Sequence, residues 1–186
     1  MTRSELRNEA YKLLDEKRVP HVAGCEEEAV KLAERYGEDT EKAAVAGILH
    51  DITKRLSFEE QLGLCREYGI ENDEDELKAP KLMHAKTGAA LARDKFGIDE
   101  DIYSAIRYHT TGKPDMTLLE KIIYLADYIE PTRHFEGVEE LRALAYENID
   151  RAMELGLAMS LEEIRGKGQN PYKDTKDAYE YYKLDT

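Results

Sequence analysis

The sequence predicts an all-α fold built as one domain. Apolar residues recur at helical spacing along most of the 186 residues. No run of alternating apolar and polar residues marks a strand, and no internal repeat or low-complexity linker marks a domain boundary. A chain of this length can bury a sizeable core as one unit. We therefore expect a single domain over residues 1–186.

The predicted helices begin and end at recognisable residues. Ser57 and Thr117 are each followed three residues later by glutamate, the capping-box spacing that opens a helix. Gly37 and Gly97 each follow a segment with helical periodicity and end it. In chain order we expect helices over residues 4–16, 25–36, 40–50, 57–68, 80–96, 99–109, 117–130 and 138–155, a short helix from 160, and a last turn or two within 174–182.

The segment from Thr40 to Arg55 is expected to contain the most buried helix. Residues 43–49 are all small or apolar, which is typical of a helix that is buried on every side. His50 and Asp51 follow at its C-terminal end, where the helix dipole disfavours a carboxylate unless a cation is near. A buried histidine beside a buried carboxylate therefore predicts a metal ion at this end of the helix.

Other titratable side chains are expected to face the same interior. Asp127 falls on the apolar stripe of its helix, as His84 and His109 do on theirs, and His21 begins a helix. His134 lies in a polar turn and is the exception. An unpaired buried carboxylate such as that of Asp127 is very costly, so it needs a cation nearby.

A shared metal ion is the hypothesis that joins these residues. Two imidazoles and two carboxylates, from His21, His50, Asp51 and Asp127, suit iron, manganese or zinc, with coordination positions left for water. Taken singly, each residue has an ordinary alternative as a hydrogen-bonded core histidine or an aspartate paired with arginine. The joint pattern on separate helices favours the metal site. A satisfied buried polar cluster without metal stays open as the structural alternative.

Composition restricts the partners of the protein. A net charge of −13 argues against a general nucleic-acid binder, and a phosphorylated substrate would need a local basic cluster. Two cysteines without a C-x-x-C pair suit a reduced cytoplasm. No apolar run reaches the ~20 residues of a membrane helix, and the N-terminal segment lacks a signal-peptide core. We expect a cytoplasmic protein, and its C-terminal tyrosines leave open packing within the chain or an interface in a homodimer.

Four segments of the chain together resemble one known family. They are KAAVAGILHDITK, HAKTGAALARDKFGI, AIRYHTTGKPDM and LEKIIYLADYIEPTR. With His21 ahead of them, the order H…HD…D resembles the HD superfamily of metal-dependent phosphohydrolases. The segments are similar to its YqeK-type branch, whose members are symmetrical diadenosine tetraphosphate hydrolases. The similarity runs over about residues 19–142.

The resemblance implies a single-domain HD-type helical bundle that cleaves diadenosine tetraphosphate symmetrically to two ADP. It implies metal ligands at His21, His50, Asp51 and Asp127, with iron as the metal and manganese or another divalent transition metal as alternatives. Catalytic roles are implied for Asp127, Asp51, Lys54, His84 and His109. Implied substrate contacts are Arg18, Lys54, His84, His109, Thr110, Asp127, Arg133, Asn170, Tyr172, Lys173 and Thr175.

Two other functions stay open on the sequence. One is an HD-type nucleotidase that acts on nucleoside mono- or triphosphates. The other is a non-catalytic nucleotide-binding module, against which the complete ligand set weighs.

Overall fold

The structure, a computed structural model, confirms the all-α class. It describes residues 1–77 and 79–183, and no strand occurs within them. The helices are α1 Arg3–Tyr11, α2 Val19–Tyr36, α3 Thr40–Leu49, α4 Phe58–Tyr68, α5 Glu74–Leu77, α6 Pro80–Phe96, α7 Glu100–Tyr108, α8 Leu118–Ile129, α9 Val138–Glu147, α10 Ile149–Gly166 and α11 Lys173–Tyr182. Among the described residues, no helix combines the length and the apolar composition that crossing a bilayer requires.

Helix α3 lies at the centre of the fold, as its composition predicted. It packs against α1, α2, α6, α7 and α8. Its residues with no exposed surface are Ala43, Ala44, Ala46, Ile48 and Leu49. Because α3 is covered on all sides, the residues that follow its last turn, His50 and Asp51, enter the protein interior.

Gly47 allows α2 and α3 to approach each other closely. A Cβ atom at Gly47 would lie 2.8 Å from the Cα of Glu26 and 3.1 Å from its backbone nitrogen. A clash with backbone atoms cannot be relieved by rotating a side chain, so this contact requires glycine. The close approach fixes the depth at which the C-terminal end of α3 enters the core.

Both predicted capping boxes are confirmed. The Ser57 and Thr117 hydroxyls accept hydrogen bonds of 3.4 and 3.3 Å from the backbone N–H groups of Glu60 and Glu120. The two glutamate carboxylates accept bonds of 2.8 and 2.7 Å in return from the capping backbones. Gly97 ends α6 in the left-handed conformation, with φ of 66°. These local signals fix the ends of α4, α6 and α8.

Three predicted boundaries are wrong. The first helix ends at Tyr11 rather than near residue 16. Helix α2 begins at Val19 rather than at residue 25, because Pro20 lies in its first turn, where its missing N–H removes no helical hydrogen bond, and His21 therefore lies in that first turn. The predicted helix that was to end at residue 155 is interrupted at Asn148. The Asn148 side chain accepts hydrogen bonds of 3.1 Å from the backbone N–H groups of Asp150 and Arg151, and thereby caps α10. Helix α10 then continues through the segment that was predicted to start a new helix.

Replacing Gly47 by alanine tests the packing of α2 on α3. We expect Gly47→Ala to lower the free energy of unfolding by about 1–3 kcal/mol, the usual cost of overpacking a core. The matched control is Gly63→Ala in α4, because a Cβ atom there meets nothing within 4 Å. The control should be neutral or slightly stabilising, since alanine favours a helix by about 0.5–1 kcal/mol over glycine. Urea denaturation of both variants measures the difference, and equal stabilities would contradict the close contact.

Candidate metal centre

Six titratable side chains from separate helices meet at one interior point. They are His21 in α2, His50 and Asp51 directly after α3, His84 in α6, His109 directly after α7 and Asp127 in α8. All four histidines are buried and Asp51 has no exposed surface. The Asp127 side chain is 13% exposed, so the cluster touches the surface at that residue.

The four residues predicted as metal ligands lie together. The Nε2 atom of His21 is 3.3 Å from His50 Nε2 and 3.0 Å from Asp127 Oδ1. Asp51 Oδ2 lies 3.4 Å from His50 Nε2 and 3.7 Å from His21 Nε2. Each of the four thus has a nitrogen or oxygen within 4 Å of two others. Their ligand role stays a proposal.

His84 and His109 meet the other oxygen of Asp51. Asp51 Oδ1 lies 3.1 Å from His84 Nε2 and 3.6 Å from His109 Nε2. The two Nε2 atoms are 3.1 Å apart. His50, Asp51 and His109 therefore form a second group with the spacing of a metal site, beside the group of His21, His50 and Asp127. The sequence did not indicate that the two oxygens of Asp51 face different histidines, Oδ2 toward His21 and His50 and Oδ1 toward His84 and His109.

The same kind of hydrogen bond orients the imidazole rings of His50, His84 and His109. His50 Nδ1 lies 2.8 Å from the carbonyl oxygen three residues earlier, and the corresponding distances are 2.5 Å for His84 and 2.7 Å for His109. Because a carbonyl only accepts, each Nδ1 carries the hydrogen and donates it. In the neutral ring the Nε2 atom is then a bare lone pair, and it faces the cluster.

Glu130 orients the fourth ring. His21 Nδ1 donates to Glu130 Oε1 over 2.9 Å, and the backbone N–H and hydroxyl of Thr132 each donate to the same carboxylate over 2.6 Å. A Cβ atom at Gly24 would lie 2.6 Å from Glu130 Oε2, so glycine there leaves room for the carboxylate. Sequence reasoning missed Glu130, and its only signal was a position three residues after Asp127.

The arrangement fits a metal ion. The neutral rings of His84 and His109 face each other with Nε2 lone pairs 3.1 Å apart, which cannot hydrogen-bond to each other, and buried Asp51 Oδ1 receives no hydrogen bond from the described residues. Burial lowers the pKa of His84 to about 4, so this ring is neutral, as a metal ligand must be. Imidazole nitrogens with carboxylate oxygens are the donors that divalent transition metals take.

The charges of the cluster also call for a cation. Burial disfavours a charged His50, yet Asp51 and Cys25 outweigh burial and raise the pKa of His50 well above its ordinary value. Burial opposes ionisation of Asp127, yet the His21 hydrogen bond holds the pKa of that carboxyl well below its ordinary value. Two ionised carboxylates in the interior therefore draw positive charge onto the rings between them.

Three basic side chains border the cluster. Arg18 Nε donates to Asp51 Oδ2 over 2.6 Å, and Arg133 Nη2 donates to Asp127 Oδ1 over 2.7 Å. The Nζ atom of Lys54 lies 3.0 Å from His84 Nε2, and burial lowers the pKa of this amine. These residues supply the local basic cluster that a phosphorylated substrate needs in a molecule with a charge of −13.

Two cavities open beside the cluster. The larger, of about 720 Å³, reaches His109, Thr110 and Asp127. The smaller, of about 540 Å³, is bordered by basic side chains and His84. Arg133 lines both cavities. The hydroxyl of Thr110 is buried and accepts or donates no hydrogen bond within the described residues.

The C-terminal residues predicted as substrate contacts are not brought to this point. None of them lines either cavity, and Lys173 forms an ion pair with Asp177 within α11. Helix α11 packs on α10, and Thr175 is buried. The structure does not place the following residues at the cluster, and their substrate contacts stay predictions: Asn170, Tyr172, Lys173 and Thr175.

Removing a central ligand tests the metal centre. We expect Asp51→Asn and His50→Ala to lose the bound metal while the helical content is retained, because each change removes a donor from a preformed cluster. Elemental analysis and circular dichroism of the purified proteins measure the two properties. His134→Ala is the control, since His134 lines the larger cavity but forms no hydrogen bond or ion pair with a cluster residue among the described residues. Full metal content in Asp51→Asn would rule out this centre.

Glu130→Gln tests the orientation of His21. The variant keeps the shape of the side chain but removes the charge that raises the basicity of the ring. Metal affinity should fall by roughly 10–100-fold, the usual effect of losing a partner behind a ligand. Titration with a competing chelator measures the affinity. Glu139→Gln, which alters an exposed carboxylate paired with Arg142, should leave it unchanged.

Comparison with known proteins identifies the family. The HD domain profile matches residues 18–132. The chain is 42% identical over 167 residues to the symmetrical bis(5'-nucleosyl)-tetraphosphatase of Halalkalibacterium halodurans, covering 89% of each chain, and 42% identical over 170 residues to that of Bacillus subtilis, covering 90% of each. The crystal structure of a predicted HD superfamily hydrolase involved in NAD metabolism from Clostridium acetobutylicum is similar at a TM-score of 0.94 and 40% identity, over 98% of this chain and 97% of that one. The chain belongs to the HD domain family.

Proposed function

We propose that this protein hydrolyses diadenosine tetraphosphate at the central anhydride and releases two ADP. The observation that carries the proposal is a buried imidazole–carboxylate cluster bordered by Arg18, Lys54 and Arg133. Such a centre suits phosphate-anhydride hydrolysis, which needs a bound metal and cations around the phosphates. Relatives named as symmetrical tetraphosphatases, similar over about nine-tenths of both lengths, support this substrate and this position of cleavage.

The residues proposed to hold the metal are His21, His50, Asp51 and Asp127. When bound, the ion supplies an acidified water and neutralises charge on the phosphoryl oxygens. We propose iron, with manganese or another divalent transition metal as alternatives, because mixed imidazole and carboxylate donors suit these ions.

His84 and His109 are proposed to serve the same centre as ligands. Their Nε2 atoms bear lone pairs, since each Nδ1 donates to a backbone carbonyl. A lone pair cannot donate a hydrogen bond to a phosphoryl oxygen, so a ligand role toward a second ion fits these rings better than the phosphate contact implied by the resemblance.

The substrate is proposed to be held by cationic and hydroxyl groups. Arg18 and Arg133 present guanidinium forks beside the cluster, and such forks bind phosphate oxygens in pairs. Lys54 adds an amine, whose Nζ atom lies 3.0 Å from His84 Nε2. Thr110 has a hydroxyl without a partner in the described structure, and it lines the larger cavity, so it is available to a phosphate. Asp127 is positioned to accept a proton from the attacking water.

The location and assembly stay proposals as well. We propose a cytoplasmic location, which is supported by two buried cysteines that are both free. A homodimer stays a prediction from the tyrosine-rich C-terminal segment.

Chromatography of the reaction products tests the proposed reaction. The metal-loaded protein should convert diadenosine tetraphosphate to ADP alone, because attack at a central phosphorus leaves two equal halves. Asp127→Ala should be inactive. AMP together with ATP would overturn central cleavage, and turnover of AMP or dNTPs in preference would favour a nucleotidase. Nucleotide binding without any product would favour a non-catalytic module.

A further inference from the structure

An aromatic wall lies in the larger cavity, next to the cluster. The wall consists of Tyr124, Tyr128 and Phe135, and all three line the cavity. The Phe135 and Tyr128 rings are 5.3 Å apart at 58°, and Tyr128 lies 6.2 Å from Tyr124 at 23°. Phe135 is 38% exposed, which is unusual for a large apolar side chain in this protein. None of these rings has a role in the mechanism above.

The turn that carries Phe135 is closed by a hydrogen bond of 3.2 Å from the Val138 N–H to the Phe135 carbonyl oxygen. Gly137 follows at a φ of 86°, and a Cβ atom there would lie 2.6 Å from Met159 Cε. Met159 also lines the cavity. The exposed ring of Phe135 is therefore presented by a constrained turn, and constrained aromatic rings are suited to stacking against a flat ligand.

The charges around the cavity give a ligand one orientation. Arg133 lines the cavity beside Asp127, and the carboxylates of Glu136, Glu162 and Glu163 line it as well. A nucleotide has negative phosphates at one end and the hydrogen-bond donors of its ribose and amino group at the other. Electrostatic complementarity therefore favours the phosphates beside Arg133 and the metal-loaded cluster, and the nucleoside, with its hydrogen-bond donors, beside the aromatic rings and the glutamates.

The smaller cavity has a different chemistry. Its lining includes Arg18, Lys54, Lys81 and Arg133, and no aromatic side chain other than His84 is among its described residues. These cations can bind phosphates, but the described lining offers no tyrosine or phenylalanine ring on which a base could stack. The two halves of a symmetrical substrate would thus meet two unlike surfaces.

We propose that the cavity walled by Tyr128 and Phe135 is the site that recognises one nucleoside base of the substrate by stacking, while the other half of the substrate is held through its phosphates in the basic cavity. The proposal rests on the proposed function for the identity of the substrate. Phe135 is a specificity-determining residue, and bases that carry an amino group are preferred because Glu136 and Glu162 accept hydrogen bonds.

Binding of ADP to the metal-loaded protein tests this site without any turnover. Calorimetry should show ADP binding tighter than UDP and pyrophosphate. In Phe135→Ala the affinity for ADP should fall by roughly 5–100-fold, the effect of losing one stacked ring, while the affinity for pyrophosphate stays unchanged. Phe135→Tyr should restore ADP binding because it restores the ring.

The control is Tyr181→Ala, which removes an exposed ring that lines neither cavity. Its ADP affinity should equal that of the wild type. If Phe135→Ala leaves ADP binding intact, or weakens ADP and pyrophosphate equally, the stacking site is overturned. The two proposals can fail separately. If the wild-type protein does not cleave diadenosine tetraphosphate but Phe135→Ala still weakens ADP binding, the reaction is refuted and the stacking site is retained.

Discussion

The centre depends on hydrogen bonds that occupy one nitrogen of every imidazole ring. His50 and His109 directly follow the last turns of α3 and α7, where backbone carbonyls lack helical partners. Each ring donates to the carbonyl three residues earlier, and this bond fixes the tautomer of the ring. The opposite nitrogens then converge as lone pairs. A bound cation accepts the lone pairs of the neutral rings and adds to the positive charge that Arg18 and Arg133 place beside the two ionised carboxylates.

The helical core supplies the position of this centre. Small side chains in α3, above all Gly47, bring α2 and α3 into backbone contact and place His21 close to His50. Helix α8 packs on both α2 and α3 and adds Asp127, and Glu130, which directly follows it, orients His21. The same helix packing therefore has two effects. It buries the carboxylates, which costs free energy, and it brings the histidines and arginines within reach of them.

Sequence patterns predicted the helices and the principal cluster because both leave local signals. Capping boxes, C-terminal glycines and the all-apolar run before His50 are read along the chain. The role of Glu130 and the sharing of Asp51 by His84 and His109 depend on contacts between distant helices, which periodicity does not report. Asn148 misled the prediction because apolar spacing continues across it, and only its side-chain bonds reveal the break.

The three basic side chains at the cluster lie in a strongly acidic molecule, and this affects the rate at which a polyanionic ligand associates. At low ionic strength an approaching polyanion is repelled by the net charge of −13, and physiological salt screens this repulsion beyond a Debye length of about 8 Å. Only on close approach do Arg18, Lys54 and Arg133 dominate the local field. Added salt screens the distant repulsion more than the short contacts, so moderate ionic strength is expected to speed the encounter, the reverse of its effect on proteins with a basic surface.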